Sequence, residues 1–187
     1  VSLHPTPSQT VGPYFSIGLD ALNQNRVAVA GTSAASVAIT GRVIDGQGDP
    51  VPDAVLEIWQ AAPSGRYAHP EDTRDLPLEE GWRGFARIPT SAAGSFELTT
   101  VKPGPVPGPG GSVQAPHIVV LVGMRGLLRH LMTRIYFPDE PANLGDPVLA
   151  LVPDARRPTL IARAAGPARL EWDIILQGAN ETVFFSY

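Results

Sequence analysis

With no cysteine in its 187 residues, the chain can build a metal or redox site only from imidazole, phenolate and carboxylate groups. Disulfides, thiolate metal sites and a cysteine nucleophile are excluded. The remaining candidates, besides the carboxylates, are His4, His69, His117, His130, Tyr14, Tyr67, Tyr136 and Tyr187. Those donor types suit hard or borderline metal ions. Spacing is the useful test of which could act together, because residues two apart on a strand project from the same face. His117 opens the apolar run Ala115-Pro116-His117-Ile118-Val119, and Tyr67 closes Gly65-Arg66-Tyr67. Other chemistries lack their signatures. There is no Gly-x-Ser-x-Gly, no zinc motif and no phosphate loop, and the glycines from Gly104 to Gly111 alternate with prolines instead of preceding a helix.

The elements that would hold these residues are strands. Nineteen glycines and twenty prolines punctuate the chain every few residues, which disfavours long helices. Strands are expected at Val37 to Ile44, Ala54 to Gln60, Phe96 to Val101, His117 to Gly123, Leu131 to Phe137 and Leu170 to Leu176, with an apolar tail from Thr182 to Tyr187. The turns Asp45-Gly46-Gln47-Gly48-Asp49-Pro50 and Ser91-Ala92-Ala93-Gly94 separate some of them. Short strands at this spacing predict an all-β fold, a β-sandwich of mostly antiparallel strands with long loops and little helix. The unbroken apolar run from His117 to Gly123 predicts a strand buried on both faces. The proline-rich segment from Pro103 to Gly111 cannot enter a central sheet. Helix is expected only at Leu19 to Arg26 and at Asp146 to Leu151, where Asp146 would cap and Pro147 would open the first turn. No repeat or shift of composition divides the chain. The expectation is one domain over residues 1–187, with residues 1–36 as an extended arm.

Composition narrows the functional classes. Apolar residues make up 43% and charged residues 17%, as in a globular protein. A net charge of −4 gives no electrostatic case for nucleic acid or an anionic membrane. No apolar run is long enough to span a bilayer, and the first ten residues have neither a basic nor an apolar signal region. A cytoplasmic location is expected.

The pattern Thr6-Pro7-Ser8-Gln9-Thr10-Val11-Gly12-Pro13-Tyr14, Leu56-Glu57-Ile58-Trp59-Gln60-Ala61, Gly65-Arg66-Tyr67, Val101-Lys102-Pro103-Gly104, Ala115-Pro116-His117-Ile118, Thr133-Arg134-Ile135-Tyr136-Phe137 and Asp173-Ile174-Ile175-Leu176-Gln177-Gly178 resembles the intradiol ring-cleaving dioxygenases, and within them the α-type subunits. The resemblance runs from about Thr6 to Tyr187. It implies homologous α and β β-sandwich subunits, assembled into a higher-order α–β oligomer. It also implies Fe(III) held by two tyrosines and two histidines of the β subunit, and O₂-dependent cleavage of protocatechuate. At the matching positions this chain has Tyr67, Val106, His117 and Val119, so two donors are replaced by valine. The resemblance therefore implies no metal ligand and no catalytic residue in this chain. Thr10, Gly12, Pro13 and Tyr14, with Arg125 from Gly123-Met124-Arg125-Gly126, would form part of the substrate-pocket wall. An arginine there would favour entry of an anionic aromatic acid.

Plainer readings accompany each residue. Tyr67 can be a packed aromatic, His117 a buried hydrogen-bonded histidine, and His69 and His130 surface residues. Arg125 can be a solvated turn residue or an ion-pair partner, and Thr10 to Pro13 a plain turn. Glu57 and Trp59 can share one sheet face, and Glu79-Glu80 can be a solvated pair. Three functional classes follow: a pocket-shaping dioxygenase subunit, a self-sufficient dioxygenase with an atypical ligand set, and a β-sandwich binding or structural module without enzymatic role.

Overall fold

The computed structural model describes residues 5–12, 14–27 and 34–186, so His4, Pro13 and Tyr187 lie outside the described residues. Strands dominate, and no helix among the described residues exceeds five residues. The strands are β1 (Ser36–Ile44), β2 (Val55–Trp59), β3 (Phe85–Pro89), β4 (Ser95–Val101), β5 (Val106–Pro107), β6 (Val113–Gln114), β7 (His117–Gly123), β8 (Leu131–Tyr136), β9 (Arg163–Gly166), β10 (Arg169–Glu171) and β11 (Ile174–Ile175). One sheet has β1 at its centre, with β4 on one side, β10 and β11 on the other, and β9 outside β10. The second runs β3-β2-β7-β8, and β5 pairs with β6 in a small ribbon. Among the strand pairs of the described residues, those of β1 with β10 and β11 are parallel and the rest antiparallel. The chain is thus all-β.

Alternation explains the core. In β2 and β7 the residues Leu56, Ile58, Ile118, Val120 and Val122 are buried against Ile39, Val43, Leu98 and Ile174 of the other sheet. The intervening residues Glu57, Trp59, Val119 and Leu121 are half-buried and belong to the opposite face. β7 is therefore not uniformly buried as its composition predicts. Its second face meets loops instead of a third layer, and that face carries the site.

Several expected elements differ. The run Leu170 to Leu176 is broken into β10 and β11 because Asp173 intervenes through its side chain, accepting the Arg42 N–H at 2.9 Å. The Trp172 carbonyl there lies so close to Gly41 that a Cβ on that glycine would sit 1.8 Å from it. The tail from Thr182 forms no strand. It pairs with Ile175 at Thr182 and then crosses to the other sheet, where the Phe185 N–H donates to the Met132 carbonyl. The helix expected over Leu19 to Arg26 shrinks to the 3₁₀ turn Asp20–Leu22, since Gln24 and Arg26 are drawn into bridges with Arg87 and Thr99. Asp146 accepts the N–H groups of Val148 and Leu149, but it closes the preceding turn Pro141–Gly145, and the short 3₁₀ turn Leu149–Leu151 has Val148 as its N-cap and ends at once. Val152 precedes Pro153, which disfavours helical backbone there.

Candidate functional site

The outer face of the β3-β2-β7-β8 sheet is organised in cross-strand rows, because residues directly opposite in an antiparallel pair share a face. One row reads Phe85, Trp59, Val119, Arg134. The adjacent row on β7 and β8 is His117 opposite Tyr136, and toward the other end lie Arg87, Glu57, Leu121 and Met132. Loops cover the first two rows and the N-terminal arm covers the third. Each covering leaves a cavity.

The loop-covered cavity, about 610 Å³, is lined by Trp59, Tyr67, His69, Asp72, Arg74 and Pro107 among others. Tyr67 lies parallel to Trp59, with ring centroids 5.9 Å apart. Its loop is fixed by hydrogen bonds: the Tyr67 N–H donates to Asp72 at 2.7 Å, Arg74 pairs with Asp72 at 2.6 Å, and Arg74 donates to the Gly65 carbonyl at 2.7 Å. Gly65 needs its positive φ of 82°, and a Cβ there would meet the Pro105 carbonyl at 2.2 Å, so only glycine lets this loop touch the proline-rich one. Burial raises the Tyr67 phenol pKa, while the charges of Arg134 and Arg74 oppose that rise.

His117 is buried, and its Nδ1 lies 2.7 Å from the Ala115 carbonyl. A carbonyl only accepts, so Nδ1 carries the proton and Nε2 the lone pair. Burial, and secondarily the Arg134 charge, lower its pKa to about 4, so the ring is neutral at pH 7. Tyr136 is fully buried. Its hydroxyl donates to Asp146 at 3.0 Å and accepts from Arg134 at 3.3 Å. Asp146 also accepts the Ala115 N–H at 2.8 Å. Val106 is buried on β5 opposite Gln114, and Gln114 accepts from Arg134 at 2.7 Å. Val119 shares a face with His117, and Tyr67 reaches that face through Trp59. Sequence reasoning passed over Arg134 and Gln114, although an arginine alternating with Tyr136 in a strand that is otherwise apolar was a usable signal.

The arm-covered cavity, about 310 Å³, is lined by Val11, Phe15, Glu57, Leu121, Gly123 and Leu128 among others. Buried Arg87 anchors the arm. It donates to Glu57 and to the Phe15 carbonyl, both at 2.8 Å, and stacks on the Phe15 ring at 4.9 Å. The Thr10 hydroxyl accepts the Gly126 N–H at 2.8 Å, which ties the arm to the turn holding Arg125. The exposed Arg125 side chain forms an ion pair with Asp53. Gly12 is exposed, and Tyr14 is 78% exposed. Thr10 and Arg125, distant in sequence, therefore meet at one turn. His69 and His130 are exposed.

A family model described as Dioxygenase matches residues 10–178. The chain belongs to the intradiol dioxygenase family. It is 44% identical to the protocatechuate 3,4-dioxygenase alpha chain of Burkholderia cepacia, over 98% of both chains. It is also 36% identical to the protocatechuate 3,4-dioxygenase beta chain of the same organism, over 78% of this chain and 66% of that one. Among solved structures, the dioxygenase domain of a dioxygenase–carbohydrate-binding fusion from Streptomyces sp. SirexAA-E aligns with a TM-score of 0.63 at 30% identity, covering 94% of this chain and all of that one.

The family uses iron, and the residues here do not fit it. Of the four positions expected from the sequence resemblance to match metal donors, Tyr67, Val106, His117 and Val119, two hold valine, and Arg134 stands opposite Val119 and bonds to Gln114, the cross-strand partner of Val106. One imidazole and one half-buried phenol beside a guanidinium are too few donors for Fe(III).

Proposed function

We propose that this chain is the α subunit of a protocatechuate 3,4-dioxygenase, a pocket-shaping and assembly subunit that carries no iron of its own. The observation that carries this reading is the donor set: two of four positions are valine in a chain that matches an alpha chain along almost its whole length. In this reading a homologous β subunit holds the ferric ion, on which protocatechuate and O₂ give 3-carboxy-cis,cis-muconate. The α–β pairs assemble further, in the cytoplasm. The chain acts as one domain, with residues 1–36 as its arm.

This chain supplies a wall. Thr10, Gly12, Pro13, Tyr14 and Arg125 would border the partner's pocket. The Thr10–Gly126 bond sets the position of the Arg125 turn, and the ion pair with Asp53 limits the rotamers of Arg125. A positioned guanidinium attracts and orients the ring carboxylate and helps keep water from the reacting ring. The test is Arg125→Ala in the assembled enzyme. Loss of a charge-assisted contact should raise KM roughly tenfold while iron content stays unchanged. An unchanged KM would remove Arg125 from the pocket.

The reading as a structural module without enzymatic role has no observation in its favour that the subunit reading lacks.

A further inference from the structure

The region that the family pattern assigns to metal binding is crossed by one side chain. Arg134 stands opposite Val119 on β8, its Nη1 donates to Gln114 at 2.7 Å and to the Tyr136 hydroxyl at 3.3 Å, and its guanidinium lies 5.9 Å from the Phe185 ring. Gln114 is the partner of Val106 across β5 and β6, and its amide also donates to the Pro107 carbonyl at 2.8 Å. Tyr136 is the cross-strand partner of His117, their rings 5.7 Å apart. One guanidinium thus bonds β8 to β6, the strand paired with the one bearing Val106, and stands beside β7, the strand bearing Val119 and His117.

We propose that Arg134 is a built-in cation that takes the structural place of the metal, tying β8 to the β5–β6 ribbon and excluding iron by charge. This rests on the subunit reading above. The planar guanidinium suits the task, because it donates in several fixed directions. Its charge is balanced at one remove by Asp146, which accepts from the same Tyr136 hydroxyl. A cation of higher charge brought to His117 Nε2 would face that guanidinium in a partly buried site, where repulsion is weakly screened. The electrostatic influence of Arg134 on both Tyr67 and His117 agrees with this position. The missing donors are then only one of two barriers to iron.

The test adds the donors back. The full chain is prepared as wild type, as Val106→Tyr/Val119→His, and as that pair with Arg134→Gln. Each is incubated with ferric iron, desalted, and assayed for iron and for the visible band of tyrosinate bound to Fe(III). The expected result is iron and colour only in the triple variant, with the double variant at least tenfold poorer in iron. Arg134→Lys with both donors should resemble the double variant. If the triple variant does not fold, Arg134→Met, which keeps the packing on Phe185, makes the same comparison. Equal iron in the double and triple variants would overturn the inference, as would a folded triple variant that takes none. Iron in the wild-type chain would instead contradict the subunit reading itself.

Discussion

His117 is the residue where burial has the plainest consequence. A folded-state pKa of about 4 lies below the ordinary value of 6.5, so between those values the unfolded chain binds a proton that the folded chain refuses. Stability therefore falls as pH drops through that window. The loss between pH 7 and pH 5 should be about 2 kcal/mol. Asp72 and Glu140 are held low by Arg74 and Lys102, so their stabilising contribution is lost only at more acid pH. Urea unfolding at pH 7 and pH 5 should show this drop in the wild type and a smaller one in His117→Phe. An equal drop in both would mean that His117 is not the group responsible. The sequence made His117 legible as a buried, bonded histidine, because it opens an apolar strand. It left the role of Arg134 obscure, since only the register places it opposite Val119.

At the scale of elements, the central claim is that the arm is clamped onto the second sheet. Arg87, 3% exposed, is the clamp. Arg87→Ala strips Glu57 and the Phe15 carbonyl of their donor; because Glu57 keeps solvent access, the change should cost about 1–2 kcal/mol and expose the arm to protease. Gly123→Val tests the same contact from the other side. A Cβ there would lie 2.7 Å from the Phe15 ring, so the ring must move. Limited proteolysis should cut this variant near residues 14–22 faster than wild type while the sandwich survives. Equal cutting would show that the arm does not depend on this packing. Deleting the first thirteen residues should lower activity or assembly of the enzyme with its partner without unfolding the sandwich. Strands with clean alternation, such as β1, β2 and β7, could be read from sequence. β3 could not, because its buried Arg87 disguises the pattern, and neither could the break at Trp172 and Asp173, which depends on a side chain replacing a backbone acceptor.

For the whole molecule, the division of labour in an intradiol dioxygenase is the central claim. The fold was legible in the glycine and proline punctuation and in the period of the strands. Which pocket the chain serves was not, because the Thr10–Arg125 turn and the Arg134 network join residues far apart in sequence. Exposed Leu144 and Leu151 show apolar surface beyond these sites, at 97% and 81%. The most direct measurement is iron by elemental analysis, with a visible spectrum, on this chain alone and on its complex with a co-expressed β partner. The account predicts a colourless, iron-free chain and a coloured complex with about one iron per pair. Stoichiometric iron and colour in the isolated chain would contradict it.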